Sequence, residues 1–155
     1  MSPPNEPALT SAALRENMLR VWSRSYAMPY VSENYDHNPK APLGDWVTDP
    51  WGGYYGQCVS YVKQVVPNIP STSAWVRGLP AKGNPTIKAG TVIATFDANK
   101  KYYGHAAIYE SQDAGGLSVV DQWITPPGPQ PIHRRVLKFG GDGLVNDGDN
   151  FFVVE

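Results

Sequence analysis

The sequence predicts an α+β domain in which N-terminal helices pack on a largely antiparallel sheet of about five strands. Helical periodicity is found only before residue 67, whereas β-rich segments separated by Gly- and Pro-rich turns follow from residue 91 onward. A length of 155 residues suits one domain, here 1–155, with a core large enough to need no covalent staples.

Residues 1–9 are Pro-rich and read as a loose tail. Residues 11–27 read as an amphipathic helix: Leu14, Met18, Val21 and Trp22 share a stripe, Arg15, Glu16 and Arg20 lie off it, and Pro29 ends it. Residues 30–55 show no sustained period, and Pro39, Pro42, Gly44 and Pro50 punctuate Tyr35, Trp46 and Trp51. A loop of that length is commonly functional, and this one is expected to wall a cleft. A second helix is expected over 57–66: Val59, Val62 and Val66 fall on one face, glycines precede it, and Pro67 cannot continue it. Residues 69–85 read as mostly irregular, with Trp75 in a short helical turn. Strands are expected over 91–96, 105–111, 117–124, 132–139 and 151–155, with a hairpin turn at 113–116.

Composition excludes several classes of function. The chain is 41% hydrophobic and 17% charged with a net charge of −1, which offers no electrostatic basis for binding nucleic acid or an anionic membrane. No apolar run reaches membrane-spanning length. A single cysteine rules out an intramolecular disulfide framework and a cysteine-rich metal cluster, so neither metal nor cofactor is expected. The N-terminal segment lacks a basic stretch followed by an apolar one, so the chain is expected to be made in the cytoplasm without a Sec signal. Nine tyrosines and five tryptophans among fifteen prolines and fifteen glycines suggest aromatic-rich loops of the kind that build clefts.

The stretch WGGYYGQCVSYVKQVV, residues 51–66, carries the chemistry. Cys58 falls in the first turn of the expected helix, where unpaired N–H groups and the helix dipole favour the thiolate. A buried cysteine acting as a small hydrophobe is the competing reading. Among the three histidines, His37 sits in a Pro-rich loop and His133 beside Arg134 and Arg135, both suggesting surface roles. His105 instead opens an apolar strand in which Ala107 and Tyr109 share its face and Ala106 and Ile108 take the other. Small alanines there let a helix approach closely, which brings the helix of Cys58 within reach; a hydrogen-bonded structural imidazole is the alternative. Asp121 interrupts an apolar strand, where a charge is expensive unless paired, and a 105/117 hairpin brings it to the outer ring nitrogen of His105. The plain alternative is a strand-edge aspartate at a bulge. Gln122 points to the opposite face and is the weaker choice for this place.

GQCVSYV, IKAGTVIATF, GHAAIYES, VVDQW and the closing FFVVE resemble NlpC/P60-type cysteine peptidases of papain-like fold, and more closely the bacterial type VI secretion amidase effectors that attack peptidoglycan. The resemblance covers residues 52–155, the first fifty matching by layout only. It implies a Cys58–His105 dyad with Asp121 as third residue, cutting an amide in cell-wall peptide: either the D-alanine–meso-diaminopimelate crosslink, toward which the resemblance leans, or the D-glutamyl–diaminopimelate bond of the stem. It also implies delivery by a contractile secretion apparatus to the periplasm of a Gram-negative target, and a cognate immunity protein that occludes the cleft in the producing cell. Thiol chemistry then runs through a thioester, with His105 protonating the leaving amine and activating water. The N–H of Cys58 is a plausible oxyanion donor, with Gln57, Tyr54 or Tyr55 as a second; packing or turn formation serves those three equally well. Tyr35, Trp46, Trp51 and Trp75 are candidates to line a substrate groove, burial in the core being the default for each. Two other readings use the same residues: a cysteine acyltransferase or deamidase acting on protein, and a non-catalytic peptidoglycan- or protein-binding module with a structural cysteine.

Overall fold

A computed structural model describes residues 28–52, 54–125 and 128–155; the expected tail and the helix at 11–27 lie outside the described residues. The β-branched and aromatic segments pair as a six-stranded sheet: β1 Arg77–Pro80, β2 Val92–Phe96, β3 Tyr102–Gln112, β4 Gly116–Trp123, β5 Gln130–Lys138 and β6 Phe152–Val154. Its order is β1-β6-β2-β3-β4-β5, and every neighbouring pair is antiparallel. One α-helix, α1 (Cys58–Val65), is found among the described residues and packs on β3 and β4.

Five of these strands were expected. The sixth, β1, falls in the segment read as irregular. Its four residues carry no alternation and end in Pro80, which has no N–H to give a sheet interior. β1 exists because it is an edge strand, paired on one side with β6 near the far end of the chain. A short helical turn precedes it over Thr72–Ala74, and Trp75, expected within the turn, is instead its extended C-cap residue.

Period-two alternation divides the sheet between two apolar clusters. Ala94, Ala106, Ile108 and Val120 face Tyr61, Val62 and Val65 of the helix. Ile93, Ala107, Tyr109, Val119 and Leu137 face the other way and are covered by Phe151, Phe139 and Ile87. The alternation expected for the 105–109 segment is therefore the observed one.

The start of β3 departs from the expected pattern. The strand begins at Tyr102, so His105 lies inside it rather than at its mouth. Ala94 pairs with Ala106 and Phe96 with Tyr102, which places Tyr103, Gly104 and His105 opposite Thr95 alone. This bulge re-aims the chain where the histidine leaves it. Gly104 permits it with a φ of +104°, and a Cβ there would sit 2.5 Å from the Thr95 hydroxyl. Thr95 Oγ1 accepts the His105 N–H at 3.0 Å and donates to the Tyr103 carbonyl, satisfying groups that the broken ladder leaves unpaired. Thr95→Val keeps the shape but removes these bonds. It is expected to cost about 1–3 kcal/mol in urea unfolding, although it leaves no cavity.

Candidate active site

Cys58 is the first residue of α1, preceded by an extended Gln57 whose side chain does not cap the helix. The backbone before it is fastened from the sheet. Gln122, wholly buried on β4, donates from Nε2 to the Gln57 carbonyl at 2.9 Å and the Val47 carbonyl at 3.1 Å, while its Oε1 accepts the Val47 N–H at 3.1 Å. Ser60 donates to the Tyr54 carbonyl at 3.1 Å, and Lys63 pairs with the buried Asp49 at 2.8 Å. Together these bonds hold the thiol at the end of the sheet, where the β3 bulge presents His105.

The thiol sulfur lies 3.5 Å from the Tyr102 hydroxyl, and Cys58 and His105 line the same cavity, close enough for each to shift the titration of the other. Burial pushes the Cys58 thiol up, but the hydrogen bond and charge of His105 outweigh it, and the net direction is down. His105 is the reciprocal case. Burial works against its charge, yet hydrogen bonds to Asp121 and Cys58 raise it to about 9. The two shifts reinforce each other, and both favour the thiolate–imidazolium form of the pair. Tyr102, half-buried beside the thiol, is pushed far above the ordinary phenol range by desolvation and by Cys58, and stays a neutral donor.

Asp121 Oδ2 meets His105 Nε2 at 2.7 Å, leaving the other ring nitrogen, Nδ1, for the thiol. The carboxylate has no exposed surface; its own burial raises its pKa, but His105 and then Arg135 bring it below the usual range. Arg135 supplies Nε and Nη2, each 2.9 Å from the same Oδ2, and its guanidinium lies 4.5 Å over the Trp123 ring. His105, in turn, meets the edge of Trp123 with ring centroids 6.0 Å apart. A cavity of about 470 Å³ opens on the site, lined by Gln57, Cys58, Gly104, His105, Trp123 and Arg135 among others.

The model of the family described as "Domesticated amidase effector 2" matches residues 27–154. The chain belongs to this family. It is 39% identical over 123 residues to domesticated amidase effector 2 of Ixodes scapularis, spanning 76% of this chain and 82% of that protein. It is 33% identical over 143 residues to the type VI secretion amidase effector 2 protein of Salmonella typhi, spanning 83% of this chain and all of that one. Among solved structures it is similar to type 6 secretion amidase effector 2 (Tae2), with a TM-score of 0.59 and 28% identity over 76% of this chain and 92% of that one. The amidase-effector resemblance read from GQCVSYV and GHAAIYES is thus shown, and the match reaches back to residue 27, through the segment that matched by layout only.

Within this amidase-effector fold, the structure brings Cys58, His105 and Asp121 together, and Gln57 lines the same cavity. Tyr54 and Tyr55 do not line it; their side chains are 66% and 52% exposed, with Tyr55 tilted against Trp46. Trp75, expected beside substrate, is 3% exposed and packs edge-on against Tyr102 with its indole N–H on the Pro70 carbonyl. It supports Tyr102 from behind. Nor do the described residues of the 30–55 loop line the cleft. Backbone bonds from Tyr30 to Val92 and Val154 and from Ser32 to Gly90 tie its start along β2 and β6, where residues 28–36 line a separate cavity of about 750 Å³. Trp51 lies under the Lys63 ammonium, and Tyr35 donates to Glu110.

Three residues beside the site escaped the sequence reading: Tyr102, Gln122 and Arg135. Gln122 was set aside because it points away from Asp121, and that same direction lets it reach the cysteine loop. For Arg135 there was a signal, since a buried strand carboxylate needs more than one donor and the next strand carries Arg134 and Arg135. His133 is also less peripheral than expected: it pairs with Asp121 in register and packs on Trp123 at 5.1 Å.

Iodoacetamide should alkylate wild-type Cys58 readily at pH 7, and His105→Ala should slow this by roughly tenfold as the thiol returns to ordinary titration. Equal rates in the two proteins would contradict a preformed ion pair. The pH dependence of stability has two limbs. The Asp121 contribution, from a depressed carboxyl, is full above the usual carboxylate range and is lost on acidification. The His105 contribution, from a raised imidazole, is full below its unfolded value and is lost as pH rises through about 9. Unfolding of wild type and Asp121→Asn across this range should show the acid limb only in the former.

Proposed function

We propose that this chain is a papain-like, NlpC/P60-type cysteine amidase that cleaves an amide in peptidoglycan peptide, the crosslink between D-alanine and meso-diaminopimelate, as an antibacterial type VI secretion effector. The observation that carries this reading is the grouping of Cys58 and His105 at one open cavity, the imidazole backed by the buried Asp121 at 2.7 Å and the thiol at a helix start. Membership of the amidase effector family supplies the reaction class, and the names of its relatives supply the secretion route.

The Cys58 thiolate attacks the amide carbonyl. The C–N bond breaks as His105 Nδ1 gives its proton to the departing amine, leaving a thioester. His105, now neutral, takes a proton from water; the hydroxide equivalent attacks the thioester and expels the thiolate. Asp121 holds the ring throughout, and Arg135 keeps Asp121 ionised. In this reading the Cys58 N–H serves the oxyanion, with the second donor coming from Gln57, which lines the cavity, or from the Tyr102 hydroxyl, 3.5 Å from the thiol. A buried structural cysteine, as in a binding module, gives no reason for an imidazole and a fully buried carboxylate to be held behind it.

Action in the periplasm of a target cell makes the cavity mouth the surface that a cognate immunity protein would cover. Digestion of purified Gram-negative sacculi, with muropeptides resolved by mass, tests the reading. Wild type should convert crosslinked dimers to monomers, and Cys58→Ala should reduce the rate by roughly a thousandfold or more. Sacculi bound but left intact by wild type would favour the binding module. Neither binding nor cleavage would point to a protein substrate. Tyr102→Phe and Gln57→Leu should separate the oxyanion donors, the true one lowering kcat by about a hundredfold with KM little changed.

A further inference from the structure

We propose that Arg135 forms a carboxylate-binding subsite within the cavity, selecting substrates whose amine-side residue carries a free carboxylate. The inference rests on the amidase reading, and names the feature of substrate that this site takes. Arg135 is the only residue of fixed positive charge lining the cavity among the described residues, and no aspartate or glutamate lines it. The carboxylate that balances it, Asp121, is wholly buried, while the Arg135 side chain is 19% exposed. A ligand entering the cavity therefore meets the positive end of this ion pair.

The guanidinium is held in place before any ligand arrives. Its Nε–Nη2 edge faces Asp121 Oδ2, its plane lies over Trp123, and Nη1 donates to Asn146 Oδ1 at 3.2 Å. A guanidinium carries five N–H groups, and these contacts leave donors on its terminal nitrogens for an entering carboxylate. A fork already fixed by its neighbours loses little entropy on binding. Arg135 and His105 both rest on Asp121 Oδ2 and line the same cavity, so a carboxylate held by Arg135 lies close to the bond that His105 serves. In the proposed crosslink the residue that leaves as the amine bears a carboxylate next to that nitrogen.

The test uses two crosslinked muropeptide fragments that differ only in the amine-side carboxyl, free in one and a carboxamide in the other. Binding to Cys58→Ala, which does not turn them over, is measured by calorimetry. Amidation is expected to weaken binding by about tenfold or more, a comparison that needs no substitution at Arg135. In Cys58→Ala/Arg135→Gln the two ligands should bind alike, with discrimination partly restored by Arg135→Lys. Equal binding of both ligands to Cys58→Ala, no binding of either, or a uniform loss in the Gln variant that preserves discrimination overturns the subsite. Wild-type turnover decides the amidase reading separately. Cleavage of both fragments with equal kcat/KM sinks the subsite and leaves the amidase; discrimination by Cys58→Ala without any wild-type cleavage keeps the subsite and sinks the amidase.

Discussion

A carboxylate with no exposed surface sits at the centre of this molecule. Removing Asp121 from water is expensive, and the cost is offset at one oxygen, Oδ2, where two cations converge, His105 at 2.7 Å and Arg135 at 2.9 Å. The rest of the site follows from that pairing. With Nε2 of His105 committed to the acid, Nδ1 is the nitrogen left to face the thiol, so the tautomer and the ring orientation are set together. A charge buried under His105 favours the imidazolium, and the imidazolium favours the thiolate.

One strand supplies both halves of this arrangement. Successive side chains of β4 point to opposite faces, so Asp121 turns toward His105 and Gln122 toward the loop that ends at Cys58. The nucleophile and its base come from a helix and a strand joined by no short connection, yet both are referenced to adjacent residues of a single strand. A slip of one residue in the β3–β4 register would exchange these faces and dismantle the site at a stroke. The bulge at Tyr103–His105 adds the last adjustment, and its backbone groups are satisfied by Thr95 rather than left open.

The surroundings of the site show how far neighbouring residues share duties. Trp123 carries the guanidinium of Arg135 on its face and meets His105 at its edge, so one ring steadies both partners of Asp121. Trp75, buried, packs on Tyr102, whose hydroxyl is next to the thiol. The aromatic-rich composition thus serves the site partly from within the core, and not through an aromatic wall built by the long loop.

Much of this was determined by the sequence alone. A helix start at Cys58 follows from glycines before it, valines at helical spacing and a proline after it; the strands of His105 and Asp121 follow from alternation; and a charge inside an apolar strand demands a partner. These are local signals, readable within a dozen residues. What only tertiary structure decided is which distant groups answer them. Arg135 reaches Asp121 because the β4–β5 register sets Asp121 opposite His133, two residues away. Gln122 fastens the cysteine loop across a separation of 65 residues, and β1 is a strand only because β6 arrives beside it. A short segment does not encode its hydrogen-bond partner, because pairing energy belongs to two stretches of chain at once. Register and edge position, which select the partner, come from the packing of the whole sheet.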